Sequence, residues 1–141
     1  MSGPDGFELP RLLGHLERRL CERLVRRLSA AGSSLNEWRV LAQLAEGPGR
    51  AMSDVAGSLD IPASSATKLV DAMVAANLVY RRGDETDRRK VVIHLAPRGR
   101  AAYDQVAPLV HAEQAELATL ADEADLRQLT RLLAQLSEQV G

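Results

Sequence analysis

A chain of 141 residues, 45% hydrophobic and with a formal net charge of −1, can form one domain with a sizeable core. Its near-zero charge excludes a polycation that coats nucleic acid without regard to sequence. A single cysteine, Cys21, excludes an intramolecular disulfide framework, and no apolar run approaches the ~20 residues that cross a bilayer.

The start, MSGPDGFELP, lacks the charged and apolar regions of a signal peptide, so a soluble, cytoplasmic protein is expected. Aromatic residues are few (Phe7, Trp38, Tyr80, Tyr103), which leaves leucine, valine and alanine to do the packing. Charge is unevenly spread. Arg81, Arg82, Arg88, Arg89 and Lys90 crowd one short segment, whereas the stretch from Glu113 to Glu138 is net acidic. A local basic cluster on a near-neutral chain fits a site-specific nucleic-acid binder.

Residues 1 to about 8 contain Gly and Pro and are expected to form a loose arm. A long helix over Leu9–Ala30 follows, with Leu13, Leu16, Leu20, Leu24 and Leu28 on one stripe. Its arginines (Arg18, Arg19, Arg23, Arg26, Arg27) are expected on a solvated face, with Glu17 and Glu22 as partners. Ser34-Leu35-Asn36-Glu37 reads as a capping box that opens a second helix, whose apolar stripe is Leu35, Trp38, Leu41 and Leu44. Gly47-Pro48-Gly49 ends it.

A short third helix is expected over Ser53–Leu59, with Ser53 as its local cap candidate. After the turn Asp60-Ile61-Pro62, a fourth helix runs from about Pro62 to Ala76, with the proline in its first turn. Ala66, Leu69, Val70, Met73 and Val74 form its inner face. Ala63, Ser64, Thr67, Lys68 and Asp71 lie on the other side, and Asn77 suits the left-handed conformation just past the helix end. Two helices joined by a tight turn, the second exposing small polar residues, describe a helix-turn-helix.

Leu78–Arg82 and Lys90–Leu95 read as paired strands around the polar tip Asp84-Glu85-Thr86-Asp87, which is a wing. A helix from Pro97 to about Leu120 should kink at Pro108. A last helix, capped by Asp122, repeats Leu126, Leu129, Leu133, Leu136 and Val140 in the pattern of a coiled-coil seam.

The expected fold is mainly α with a small β-hairpin wing, a winged helix-turn-helix flanked by N- and C-terminal dimerisation helices. Its segments are 1–33 (arm and dimerisation helix), 34–97 (winged DNA-binding unit) and 98–141 (dimerisation helices). The terminal helices carry more leucine than a small winged helix can cover. A two-fold homodimer through Leu13, Leu16, Leu20, Leu126, Leu129, Leu133 and Leu136 is therefore expected.

Between Ser34 and Gly99 the chain resembles the MarR family of bacterial transcription regulators. Three segments carry the resemblance: Leu35-Asn36-Glu37-Trp38-Arg39-Val40-Leu41, then Ser64 to Asp71 with Asn77-Leu78-Val79, and the wing Asp84-Glu85-Thr86-Asp87-Arg88-Arg89 followed by Val92, Leu95 and Gly99. The chain departs from the family at Asn77 (usually Gly), Ala96 (usually Thr) and Pro62 (often a capping Ser or Asp). The resemblance implies a homodimeric repressor of double-stranded DNA with a pseudo-palindromic operator. It also implies that a small aromatic or anionic effector relieves binding.

On a helix in the major groove, Ala63, Ser64, Ser65 and Thr67 allow close approach. The hydroxyls can meet phosphates or bases, the Thr67 methyl can meet thymine, and Lys68 reaches phosphate. Ser53 is a further backbone contact. By resemblance, Arg89 enters the minor groove while Asp87 holds the tip, and Arg82 and Arg88 meet phosphates.

The candidate effector-pocket residues are His15, Trp38, Arg39 and His111, although Trp38 is first expected in the core. Cys21 is expected to be a packing residue, and a redox-sensing repressor acting through it is an alternative. One cysteine and three scattered histidines supply no metal-ligand spacing, so no metal or cofactor is expected. No nucleophile elbow, phosphate loop or carboxylate pair points to an enzyme. The remaining alternative is a winged-helix protein-interaction module.

Overall fold

In the computed structural model, which describes residues 8–141, six helices and three strands follow in the order α1 (Glu8–Ala30), α2 (Leu35–Ala45), β1 (Arg50–Ala51), α3 (Met52–Ser58), α4 (Ala63–Ala75), β2 (Val79–Gly83), β3 (Val91–Leu95), α5 (Pro97–Leu120) and α6 (Glu123–Val140). The arm expected at the N-terminus lies outside the described residues, apart from Glu8, which opens α1. No described helix is long and apolar enough to cross a membrane.

The helix ends follow local chemistry. α1 and α4 both close with paired backbone bonds across a left-handed residue. In α1, Gly32 (φ 72°) is that residue, and the Ser33 N–H donates to the Leu28 carbonyl at 2.9 Å. In α4, Asn77 (φ 61°) takes the place of glycine, and the Leu78 N–H donates to the Met73 carbonyl at 3.0 Å. Ser34 caps α2 by accepting the Glu37 N–H at 3.2 Å, and Asp122 caps α6 by accepting the Ala124 N–H at 2.8 Å. Among the bonds of the described residues, the return arm of the expected capping box is not present; Glu37 is half-buried, and desolvation raises its pKa.

Four expectations need correction. Pro62 is the N-cap of α4 rather than a residue of its first turn, with ψ 145° and no side-chain bond. Ser53 does not cap α3, which begins one residue earlier behind Ala51. Both wing strands start one residue later than expected. The Leu78 N–H is already used in closing α4, and the Lys90 N–H donates to the Asp87 carbonyl at 3.0 Å within the turn. Finally, the hairpin is not alone. β1 pairs antiparallel with β3 (Arg50 opposite Ile93), giving a three-stranded sheet in the order β1-β3-β2. α5 stays helical through Pro108, and Ala96 precedes it without a side-chain cap.

The main core joins Val40, Leu41 and Leu44 of α2, Val55 and Leu59 of α3, Ala66, Val70 and Met73 of α4, Val79 of β2 and Ile93 of β3. Fully burying each larger side chain of this set contributes roughly 1.5–3 kcal/mol, which fixes α4 and the wing on one scaffold. A smaller cluster of Leu28, Val106 and Val110, flanked by Leu24, Leu35 and Trp38, joins α1 and α5 to α2. α6 contributes no buried residue. Leu126 and Leu133 are half-covered, while Leu129, Leu132, Leu136 and Val140 stand exposed, as do Leu9, Leu12 and Leu16 of α1.

Arg23 and Arg27 do not pair with Glu17 or Glu22. They cross to α5, where Arg23 and Arg27 both bind Glu113, and Arg23 Nη2 and Arg27 Nη2 reach Glu116 at 3.2 and 2.6 Å. The hydrogen bond from Arg23 is the main reason the Glu113 carboxyl lies below the ordinary glutamate value, and Arg27 adds to it.

Candidate nucleic-acid interface

The inner face of α4 is anchored by Ala66, Val70 and Met73, so its opposite face must point outward. Ala63, Ser64, Ser65, Thr67 and Lys68 are all exposed there. The Thr67 hydroxyl donates back to the Ala63 carbonyl at 3.0 Å. In this conformation it offers its methyl and its remaining lone pairs rather than its proton.

The wing tip is held by two aspartates. Asp87 Oδ1 accepts the Arg89 N–H at 3.0 Å, a turn bond that fixes the backbone just before Arg89. Asp84 Oδ1 accepts both the N–H and the hydroxyl of Thr86 at 2.9 Å, and its carboxyl is held below the ordinary aspartate value, first by that backbone N–H. The sequence places the bend chemistry at Gly83-Asp84, and the bonds to Thr86 show how Asp84 supplies it, since an Asp two residues before a Thr is a recognisable turn signal. Arg88 and Arg89 are exposed.

The pleat of β2 sorts the arginines. Side chains alternate faces along a strand, and Val79 is buried in the main core, so Arg81 leaves the sheet on the α4 side and Arg82 on the other, with Tyr80. Tyr80 in turn stacks on His94 of the opposite strand, with ring centroids 5.2 Å apart. Arg81, which the sequence reading did not single out as a contact, forms an ion pair with Asp71 of α4.

A recess of about 320 Å³ opens where these elements meet. Ser53, Thr67, Arg81, Arg89 and Lys90 line it, together with apolar groups of β1, α3 and β3. The fold thus gathers Ser53 of α3, Thr67 of α4 and Arg89 of the wing around one concave wall. That wall has three cationic side chains and no carboxylate in its lining. Arg82 stands apart from this group.

The candidate effector residues are not gathered in the same way. Trp38 stacks flat on Tyr103 of α5, with centroids 5.3 Å apart and planes 5° off parallel. The Arg100 guanidinium covers the Tyr103 ring at 5.7 Å and donates to the Ala45 carbonyl at 3.1 Å. Arg39 donates to Asn36 Oδ1 at 3.4 Å, and His15 and His111 are exposed on α1 and α5. An open recess of about 530 Å³ between α1 and α5 is lined instead by Arg23, Arg26, Arg27, Ala30, Glu113 and Glu116. Cys21 is half-buried on α1. Among the described residues no group of three or more His, Cys, Asp or Glu side chains could hold a metal ion.

Comparison with known proteins agrees with this geometry. A model of the MarR family matches residues 31–90, the span from the end of α1 to the wing tip. The homoprotocatechuate degradative operon repressor of Escherichia coli is 28% identical over 99 residues, covering 70% of this chain and 67% of that protein. AbsC of Streptomyces coelicolor, a MarR family transcriptional regulator, superimposes with a TM-score of 0.82 at 28% identity, covering 99% of this chain and 98% of that one. BpsR of Bordetella bronchiseptica, whose DNA binding is regulated by 6-hydroxynicotinic acid, shares the fold with a TM-score of 0.83 at 20% identity, over 97% of this chain and 98% of its own. The helix-turn-helix, the three-stranded wing and the flanking helices, with these matches, make the chain similar to the MarR family of winged-helix transcription regulators, whose model matches residues 31–90.

Proposed function

We propose that the chain acts in the cytoplasm as a homodimeric repressor of a pseudo-palindromic double-stranded operator. Residues 34–97 bind DNA, and residues 1–33 and 98–141 pair the two copies. The observation that carries this reading is the shared recess of Ser53, Thr67, Arg81, Arg89 and Lys90. A wall that offers Arg89 and Lys90, with Arg81 bound to Asp71, between a helix-turn-helix and a wing suits a phosphate backbone that passes between the two grooves. α4 meets the major groove through Ala63, Ser64, Ser65, Thr67 and Lys68. Arg89, set by Asp87, enters the minor groove, and Arg82 and Arg88 meet flanking phosphates.

Pairing of copies is supported by the apolar groups left open on α6 and α1, where Leu13, Leu133, Leu136, Ser137 and Val140 line a recess of about 410 Å³. A small aromatic or anionic effector that relieves binding completes the proposal. Its support is the resemblance to the MarR family, whose model matches residues 31–90.

Selection of duplexes from a random-sequence pool, followed by gel shifts over a range of salt, tests the reading. The selected half-sites should lie about one helical turn, roughly 10 base pairs, apart. Absence of salt-sensitive, site-specific retention would overturn it in favour of a protein-interaction module.

A further inference from the structure

The exposed stripe of α4 continues past Lys68. Asp71 follows at helical spacing, three residues after Lys68 and four after Thr67, and is also exposed. A bare carboxylate there would face the same polyanion that Ser64, Thr67 and Lys68 are proposed to meet, and like charges at close range cost binding. The fold supplies a partner. Arg81 Nη2 of β2 donates to Asp71 Oδ1. The pleat makes this the role of Arg81 and not Arg82, because Arg81 shares the inner face of β2 with buried Val79. Arg81 also lines the recess with Thr67 and Arg89, so one side chain touches the recognition helix, the wing and the space between them.

We propose that Arg81 is a positioning residue for DNA recognition. Paired with Asp71, it masks a carboxylate on the DNA-facing stripe of α4 and ties that helix to the wing, so that major-groove and minor-groove contacts are made in a fixed relation. The proposal rests on the reading of α4 and the wing as the DNA surface. Stability alone does not account for the pair, since exposed ion pairs contribute little. The role also has a sign that direct phosphate contact lacks. Without Arg81, Asp71 stands charged and unpaired against DNA, and without both, nothing repels. Without Asp71 alone, Arg81 is freed as an extra cation that attracts every duplex alike, so discrimination falls.

The test uses the full chain, a duplex it selects from a random pool, and a scrambled duplex of the same composition. Arg81→Ala should weaken the selected duplex about tenfold. Asp71→Ala/Arg81→Ala should return to within about threefold of the parent. Asp71→Ala alone should tighten the scrambled duplex about threefold and so narrow the ratio between the two. Arg81→Lys, which keeps the charge, should recover part of the loss. A double variant as weak as Arg81→Ala overturns the proposal, because Arg81 then acts on phosphate or on the fold rather than through Asp71. If Arg89→Ala and Lys68→Ala change binding to neither duplex, the surface itself is misassigned and the proposal falls with it. If they weaken binding while Asp71 and Arg81 behave additively, only the positioning role is lost.

Discussion

Gly99, in the first turn of α5, lies with its α-carbon against the carbonyl oxygen of Leu78, and a β-carbon there would overlap that oxygen and the Leu95 side chain. The same carbonyl accepts the Ala96 N–H at 3.0 Å, so the start of α5 is bonded to the end of the helix-turn-helix at one point. Backbone cannot move aside as a flexible side chain can. Gly99→Ala should therefore cost about 2 kcal/mol or more, read as a lower urea midpoint with an unchanged slope. Gly57 is the control. It lies inside α3 with open space around it, so Gly57→Ala should be neutral or stabilise by about 0.5 kcal/mol.

Lys68 and Arg89 should differ in what they do to binding. Lys68 is a mobile point charge on α4, and its loss should weaken all duplexes about equally and lower the salt slope by about one. Arg89 leaves a backbone fixed by Asp87, so Arg89→Ala should fall hardest on sites with narrow, A·T-rich flanks. Asp87→Ala keeps the guanidinium but frees the tip, and should give a smaller loss at those same sites. Affinities measured on duplexes that differ only in their flanks separate the three. Equal losses for Arg89→Ala on all flanks would remove the minor-groove assignment.

Trp38, the chain's only tryptophan, reports the joint between the winged unit and α5. Its stacking partner Tyr103 is also held by Arg100. Tyr103→Leu keeps apolar bulk but removes the aromatic face, which should cost about 1 kcal/mol of stability. Trp38 emission should move to longer wavelength as its ring loosens. An unchanged emission spectrum would mean that Trp38 is held by Leu28, Val106 and Val110 alone.

Much of this was legible in the sequence where the information is local. Ser34 and Asp122 announce helix starts because a side-chain oxygen reaches an orphan N–H two or three residues on, and Asn77 marks a left-handed stop because Asn tolerates a positive φ. What escaped depends on distant partners. β1 has two residues, too short for any period-two pattern, and exists only because β3 offers its edge. Arg23 and Arg27 look solvated until α5 brings Glu113 and Glu116 beside them. Arg81 and Arg82 are equivalent as letters. Only the register of β2 against buried Ile93 sends one toward α4 and the other away.

The α1–α5 network should show in acid. The folded pKa of Glu113 is depressed, chiefly by Arg23, so its contribution is complete above the unfolded value and shrinks as pH falls through the folded one. The melting-temperature gap between the parent and Glu113→Gln should be constant near neutral pH and close only below the ordinary glutamate range. A gap that closes between pH 6 and 8 would mean that the Glu113 ion pairs are not its source.

Pairing of two copies makes the last prediction. Leu136 is exposed at the end of α6, and α6 contributes nothing to either buried cluster. A charge placed there leaves the winged unit's own core intact while putting a carboxylate into the proposed seam, where desolvation without a partner is costly. Leu136→Glu should therefore sediment as a monomer at concentrations where the parent is a dimer, with its circular dichroism largely unchanged. Operator affinity should fall by at least about 100-fold, because two linked half-site contacts become two independent ones. Binding to a single half-site should barely change. Loss of both would mean that α6 supports the fold of the winged unit after all, and a dimer that survives the charge would place the seam elsewhere, with exposed Leu9, Leu12 and Leu16 of α1 the next face to test.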